Sequence, residues 1–255
     1  MKNKASKIVA ISALSLGAVL TNFGLSSTVS AAEYKSNLIV EFSPSNELVK
    51  PVDPTDPTKT LGDGEGPIDP TDPSGPNPGT EGPLSIDYAS SLDFGTQKIT
   101  STDQVYNAVA QKFGDGSSRG DGPNYVQVTD NRGLETGWSL SVKQQGQFLT
   151  ADNEELTGAE LVFSNGVVNT ASISPKPSAV KNSFSLTPDG NGTAVNIMAA
   201  KNGEGAGTYV LAFGDNSSGG KSISLKVPGK ATKYAKKYST SLLWRLQDVP
   251  APGGE

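Results

Sequence analysis

The chain has 255 residues, a length of one or two domains, with 29 Gly, 17 Pro, no Cys and no His. The missing Cys and His exclude disulfide support, Ser-His-Asp or Cys-His catalysis, and zinc sites built on those ligands. The net charge is −5, with 18% of residues charged. Such a weakly acidic chain, rich in Gly and poor in charge, argues against nucleic acid as a partner and favours short strands and turns over helices.

Residues 1–32 read as a secretory signal peptide. Lys2, Lys4 and Lys7 form a positive start, Ile8 to Leu25 is uncharged, and small residues lead to cleavage near Ala31 or Ala32. The rest of the chain is therefore expected to be secreted and to work at a cell surface. Residues 33–50 hold Asn37-Leu38-Ile39-Val40-Glu41-Phe42, which is expected to be a strand. A lone strand is unstable in water, so pairing with the sheets downstream is expected.

Residues 51–83 carry nine of the 17 prolines, and Asp53-Pro54-Thr55-Asp56-Pro57 recurs as Asp69-Pro70-Thr71-Asp72-Pro73. Seven acids against Lys59 give this segment a charge of −6. Proline fixes φ and removes a donor, so the stretch is expected to be a disordered, extended linker. Without it and the three N-terminal lysines, the remainder is close to neutral at −2.

Residues 84–255 read as a single all-β domain, a β-sandwich or a barrel-like fold of short strands. Tyr125 to Thr129, Trp138 to Lys143, Ile223 to Val227 and Leu242 to Leu246 alternate apolar and polar residues. Tyr209 to Phe213 is a nearly continuous apolar run, as in a strand buried on both faces. Asn165-Gly166, between Leu161-Val162-Phe163 and Val167-Val168, is expected to turn a β-hairpin.

Few residues suggest chemistry. Paired carboxylates remain open to a glycan-cleaving enzyme, but none of the 26 acids stands out as a pair, and no calcium-loop spacing occurs. A non-enzymatic protein without cofactor or metal is expected. Arg119-Gly120-Asp121 spells an integrin-binding tripeptide in a loop where Gly and Asp already suit a turn. Lys233, Lys236, Lys237 and Arg245 make a basic face near the C-terminus, suited to anionic wall polymers or merely solvated. The two tryptophans each sit in Trp-x-Leu, Trp138-Ser139-Leu140 and Trp244-Arg245-Leu246, with Trp and Leu on one strand face. Either tryptophan can stack on a sugar or fill the core, and at least one is expected to be core.

These triplets and their flanks resemble the WxL-domain surface proteins of low-GC Gram-positive bacteria. The matching stretches include Leu92-Asp93-Phe94-Gly95, Asn124 to Gly133, Gly137-Trp138-Ser139-Leu140 and Tyr238 to Leu246. The resemblance implies non-covalent binding to peptidoglycan through the C-terminal domain, in which Trp138, Leu140, Trp244 and Leu246 are the candidate binding residues, in part core. It also implies assembly with other WxL proteins and their membrane-anchored companions. The final residues carry no sorting motif, which agrees with non-covalent attachment. The alternative is a structural or adhesive subunit that protein partners hold on the surface and that binds host matrix proteins.

Overall fold

A computed structural model describes residues 32–114, 119–187 and 192–249. The expected signal segment up to Ala31 lies outside these residues. The chain divides into two units, residues 1–40 and 41–255. In the first, the described residues 32–40 have no regular secondary structure and are all exposed.

The second unit is built from twelve strands among the described residues, with a single 3-10 turn at Gly219–Lys221. They are β1 (Leu84–Ala89), β2 (Gln104–Asn107), β3 (Asn124–Asp130), β4 (Trp138–Gln144), β5 (Glu160–Phe163) and β6 (Gly166–Thr170). The chain continues with β7 (Ala179–Val180), β8 (Phe184–Ser185), β9 (Val195–Ala200), β10 (Gly207–Phe213), β11 (Ile223–Val227) and β12 (Leu242–Gln247). Three antiparallel sheets run β1-β3-β10-β6, β2-β11-β5-β8 and β12-β4-β9-β7. None closes into a barrel, so the architecture is that of a sandwich.

No two strands adjacent in sequence pair with each other. The expected hairpin at Asn165-Gly166 is therefore not formed: β5 pairs with β11 and β8, while β6 pairs with β10. Asn165 does take a turn conformation at φ 56°, but the turn carries the chain from one sheet to another. The physical reason is competition. The five-residue ladder of β6 on β10 buries more than a short hairpin would, and Ser164 N–H is already given to Ser222 O.

Strand alternation fills the core. Val126 and Val128 of β3, Trp138, Leu140 and Val142 of β4, and Tyr209, Leu211 and Phe213 of β10 meet in one cluster. The opposite faces of β3 and β10 are also buried, at Tyr125, Gln127, Val210 and Ala212. Their cover is the Asp-Pro segment, where the structure corrects the expectation of a disordered linker. Val52 and Leu61 pack with Phe113, Tyr88, Tyr125, Val210 and Ala212 in a second apolar cluster.

The segment is pinned by buried polar side chains. Gln127 accepts from Val52 N–H (2.8 Å) and donates to Lys50 O (3.1 Å). Asn169 donates to Pro54 O (2.8 Å), and the Arg119 guanidinium holds the Asp53 carboxylate at 2.8 and 2.9 Å. In the second repeat, Gln111 donates to Ile68 O (2.8 Å) and Ser91 donates to Asp69 (2.6 Å). Each Asp-Pro repeat also folds on itself: the Asp53 carboxylate accepts from Thr55 N–H and hydroxyl, and that of Asp69 from Thr71 N–H and hydroxyl. Proline content forbids a helix or a central strand here, but it does not forbid a rigid strap held by its side chains.

The expected strand at residues 37–42 is also absent. These residues have no strand assignment, and Leu38, Ile39, Val40 and Phe42 are exposed.

The buried Asp87 carboxylate forms no ion pair among the described residues. Asp87 accepts from Ser85 Oγ (2.6 Å), Thr129 Oγ1 (2.6 Å) and Gln127 Nε2 (2.9 Å), and burial raises its pKa. The folded chain thus holds this proton more tightly than the unfolded one. Stability from this group is present at low pH and falls as pH rises from 3.8 through the folded value. Asp87→Asn keeps the shape and can satisfy the same three partners, so it should stabilise at pH 7. That gain should shrink as pH approaches 4, as read in thermal melts at both pH values.

Candidate functional site

The two Trp-x-Leu triplets lie side by side on antiparallel neighbours, with Leu140 opposite Leu246 and Val142 opposite Trp244. Their fates differ because β4 is interior to its sheet and β12 is an edge. Trp138 and Leu140 are 0% exposed. The Trp138 indole N–H donates to Gly205 O (2.9 Å), and its ring lies 6.1 Å from that of Tyr209. Gly205 has φ 85°, and a Cβ there would stand 2.6 Å from the indole nitrogen, so only glycine fits. Trp138 and Leu140 are thus core residues, out of reach of any wall polymer.

Trp244 and Leu246 are half-buried on the inward face of β12, while Leu243, Arg245 and Gln247 point outward. Gln145 N–H donates to Ser241 O, which extends the β12–β4 ladder by one bonded pair. By alternation, the backbone groups of Leu242, Trp244 and Leu246 then face away from β4, toward the open edge.

Between that edge and β1 lies a cleft of about 450 Å³. Leu242 and Trp244 line one side, Tyr88 to Leu92 the other, and Phe94, Phe148 and Leu161 also contribute apolar surface. The strap supplies a further wall through Asp69, Thr71 and residues 77–80. Gly79 lies against β1, where a Cβ would meet Asp87 O at 3.0 Å. Thr80 exchanges two hydrogen bonds with Ile86, giving its N–H to Ile86 O and accepting Ile86 N–H on Oγ1.

The carboxyl of Asp69 is pushed up by burial, but donors from Ser91, Thr71 and Asp72 outweigh this and hold it below the ordinary value. Asp69 is therefore ionised and structurally engaged at neutral pH. The residues 92–94 and 238–246 of the site were marked in the sequence by their family flanks. The strap wall was not, although the Thr two places after each Asp is a turn signature.

The basic face is only partly available. Lys233 gives its ammonium to the carbonyls of Pro228, Gly229 and Ala231, and Lys236 is paired with Asp152 and Glu154. Lys237 and Arg245 are exposed, and neither forms an ion pair among the described residues. None of the four lines the cleft. Arg119 of the Arg-Gly-Asp tripeptide is committed to Asp53, with 10% of its side chain exposed. Among the described residues, no group of acids is placed to hold a metal ion.

No curated protein and no solved structure matches the chain. The model of the WxL domain family, described as surface cell wall-binding, matches residues 29–250. With that match running from before the strap to beyond the second Trp-x-Leu triplet, the chain belongs to the WxL family of cell-wall-binding surface proteins.

Proposed function

We propose that this is an exported, non-enzymatic protein that attaches non-covalently to the peptidoglycan of a Gram-positive cell wall. Attachment runs through the cleft beside Trp244, and the attached protein assembles with other WxL proteins and their membrane-anchored companions. Export rests on the signal pattern ending near Ala31 and Ala32. The observation that carries the site is a half-buried tryptophan on an edge strand, at a cleft of about 450 Å³. A rigid indole beside convergent polar groups is the composition of a ligand site.

The test is co-sedimentation of residues 33–255 with protein-free sacculi. Wild type should sediment, and Trp244→Ala should bind at least about tenfold more weakly, a loss of about 1.4 kcal/mol. Its far-UV spectrum should stay that of a folded chain. Equal sedimentation of the variant would move attachment away from the cleft. No reducing sugar should be released from the sacculi.

One observation favours protein partners as a second anchor. Leu38, Ile39, Val40 and Phe42 are exposed within a stretch of β-forming sequence. Such a segment suits addition to a partner's open sheet edge. Binding only to sacculi that retain their surface proteins would make this the principal mode.

A further inference from the structure

We infer that the Asp-Pro strap is a wall of a saccharide-binding site, and that the ligand is a short stretch of uncharged glycan. This rests on the attachment reading above and names the part of the wall that the cleft takes.

Three features select that ligand. The first is charge. Among the described residues, the ionisable groups that line the cleft are the carboxyls of Asp69 and Asp87 and the phenol of Tyr88, and no Lys or Arg lines it. A phosphate polymer or an acidic stem peptide would enter against like charge and find no counter-ion.

The second is the surface itself. Trp244 contributes its half-buried indole to one side. The strap offers the exposed side chains of Asn77 and Thr80 on the other. An apolar ring face opposite amide and hydroxyl groups matches a sugar, which has both a C–H face and a rim of hydroxyls. On the β1 side Thr80 already occupies the backbone groups of Ile86, so an extended peptide can pair only along the β12 edge, and the free stem peptide is therefore titrated as a competing ligand.

The third is rigidity. The second repeat is fixed at Ile68 by Gln111 and at Asp69 by Ser91, and Gly79 lies against β1. The wall is in place before the ligand arrives, which limits the ordering cost of binding.

The probe is an uncharged tetrasaccharide of N-acetylglucosamine, titrated against residues 33–255 by calorimetry and tryptophan fluorescence. Trp138 is fully buried, so a change in emission reports Trp244. Wild type should bind, and Asn77→Ala should weaken binding about tenfold with an unchanged melting temperature. Glycerol phosphate polymer and free stem peptide, titrated in parallel, should not bind. Asn77→Ala binding like wild type overturns the strap wall, and binding of the polymer or peptide in place of the tetrasaccharide overturns the ligand class. The two readings fail separately. Sacculi that retain wild type and Asn77→Ala equally but lose Trp244→Ala remove only the strap wall. Tetrasaccharide binding by a wild type that sacculi do not retain removes only the attachment reading.

Discussion

Trp138→Ala should lower the free energy of unfolding by about 3–5 kcal/mol, the usual cost of truncating a large buried aromatic. The side chain is 0% exposed and packs in the cluster shared by β3, β4 and β10, with Tyr209 beside it. Its N–H is also the donor to Gly205 O, so the truncation opens a cavity and orphans a buried carbonyl. Set against a total of about 5–15 kcal/mol, the variant is at the margin of folding. Trp138→Phe keeps most of the ring volume and loses the donor, and should cost about 1–3 kcal/mol. Denaturant melts of both variants check the magnitudes. A Trp138→Ala midpoint equal to that of wild type would contradict the core assignment. Loss of wall binding in Trp138→Ala should follow the unfolded fraction, whereas loss in Trp244→Ala should occur in a folded chain. The two tryptophans of one motif pair thus separate by experiment into a fold determinant and a contact.

The strands were legible where side chains alternate. Trp138 to Lys143, Ile223 to Val227 and Leu242 to Leu246 fall in strands as their alternation of apolar and polar residues marks them, and Tyr209 to Phe213 falls in a strand as its continuous apolar run marks it. Pairing left no such mark. Every ladder joins strands that are distant in the chain, so a local signal such as Asn165-Gly166 could report a turn but not which sheets it connects. The double burial of Tyr209 to Phe213 was visible, but its cause was not. The cover is a proline-rich strap whose grip comes from Gln127, Arg119, Gln111 and Ser91, and these lie outside it in sequence. Composition describes what a segment cannot form by itself and is blind to what distant side chains can fasten. The apolar stretch at residues 37–42 shows the converse limit. Its pattern is that of a strand, but a strand also needs a neighbouring edge, which a single sequence does not display. Of the candidate site, the Trp-x-Leu triplets were legible as a pair, and their division into buried and half-buried members follows from strand order alone.

Arg119→Ala should release the first half of the strap. Arg119 holds Asp53 through two parallel hydrogen bonds and lies 4.0 Å above the Phe113 ring, with 10% exposure on each partner of the ion pair. Burial raises the Asp53 carboxyl, but the Arg119 and Thr55 donors outweigh it, and the group stays below its ordinary 3.8. Its stabilising contribution is therefore complete above pH 3.8 and lost as pH falls through the lower, folded value. Removing the guanidinium leaves a carboxylate buried without its cation, which costs about 3–5 kcal/mol if the strap stays in place. The strap can instead lift away, so the loss is capped by the free energy that holds residues 50–62 on the sheet. Lifting exposes Tyr125, Val210 and Ala212 and frees Gln127. Hydrogen exchange should then show lost protection at Val52 and Asp53, with the β4 ladder still protected. Arg119→Lys keeps the charge without the fork and should give partial release. Because the two side chains share one interaction, Asp53→Ala combined with Arg119→Ala should cost less than the sum of the single changes. Additive costs in that cycle, or full protection at Val52 in Arg119→Ala, would show that the apolar contacts of Val52 and Leu61 hold the strap without the ion pair.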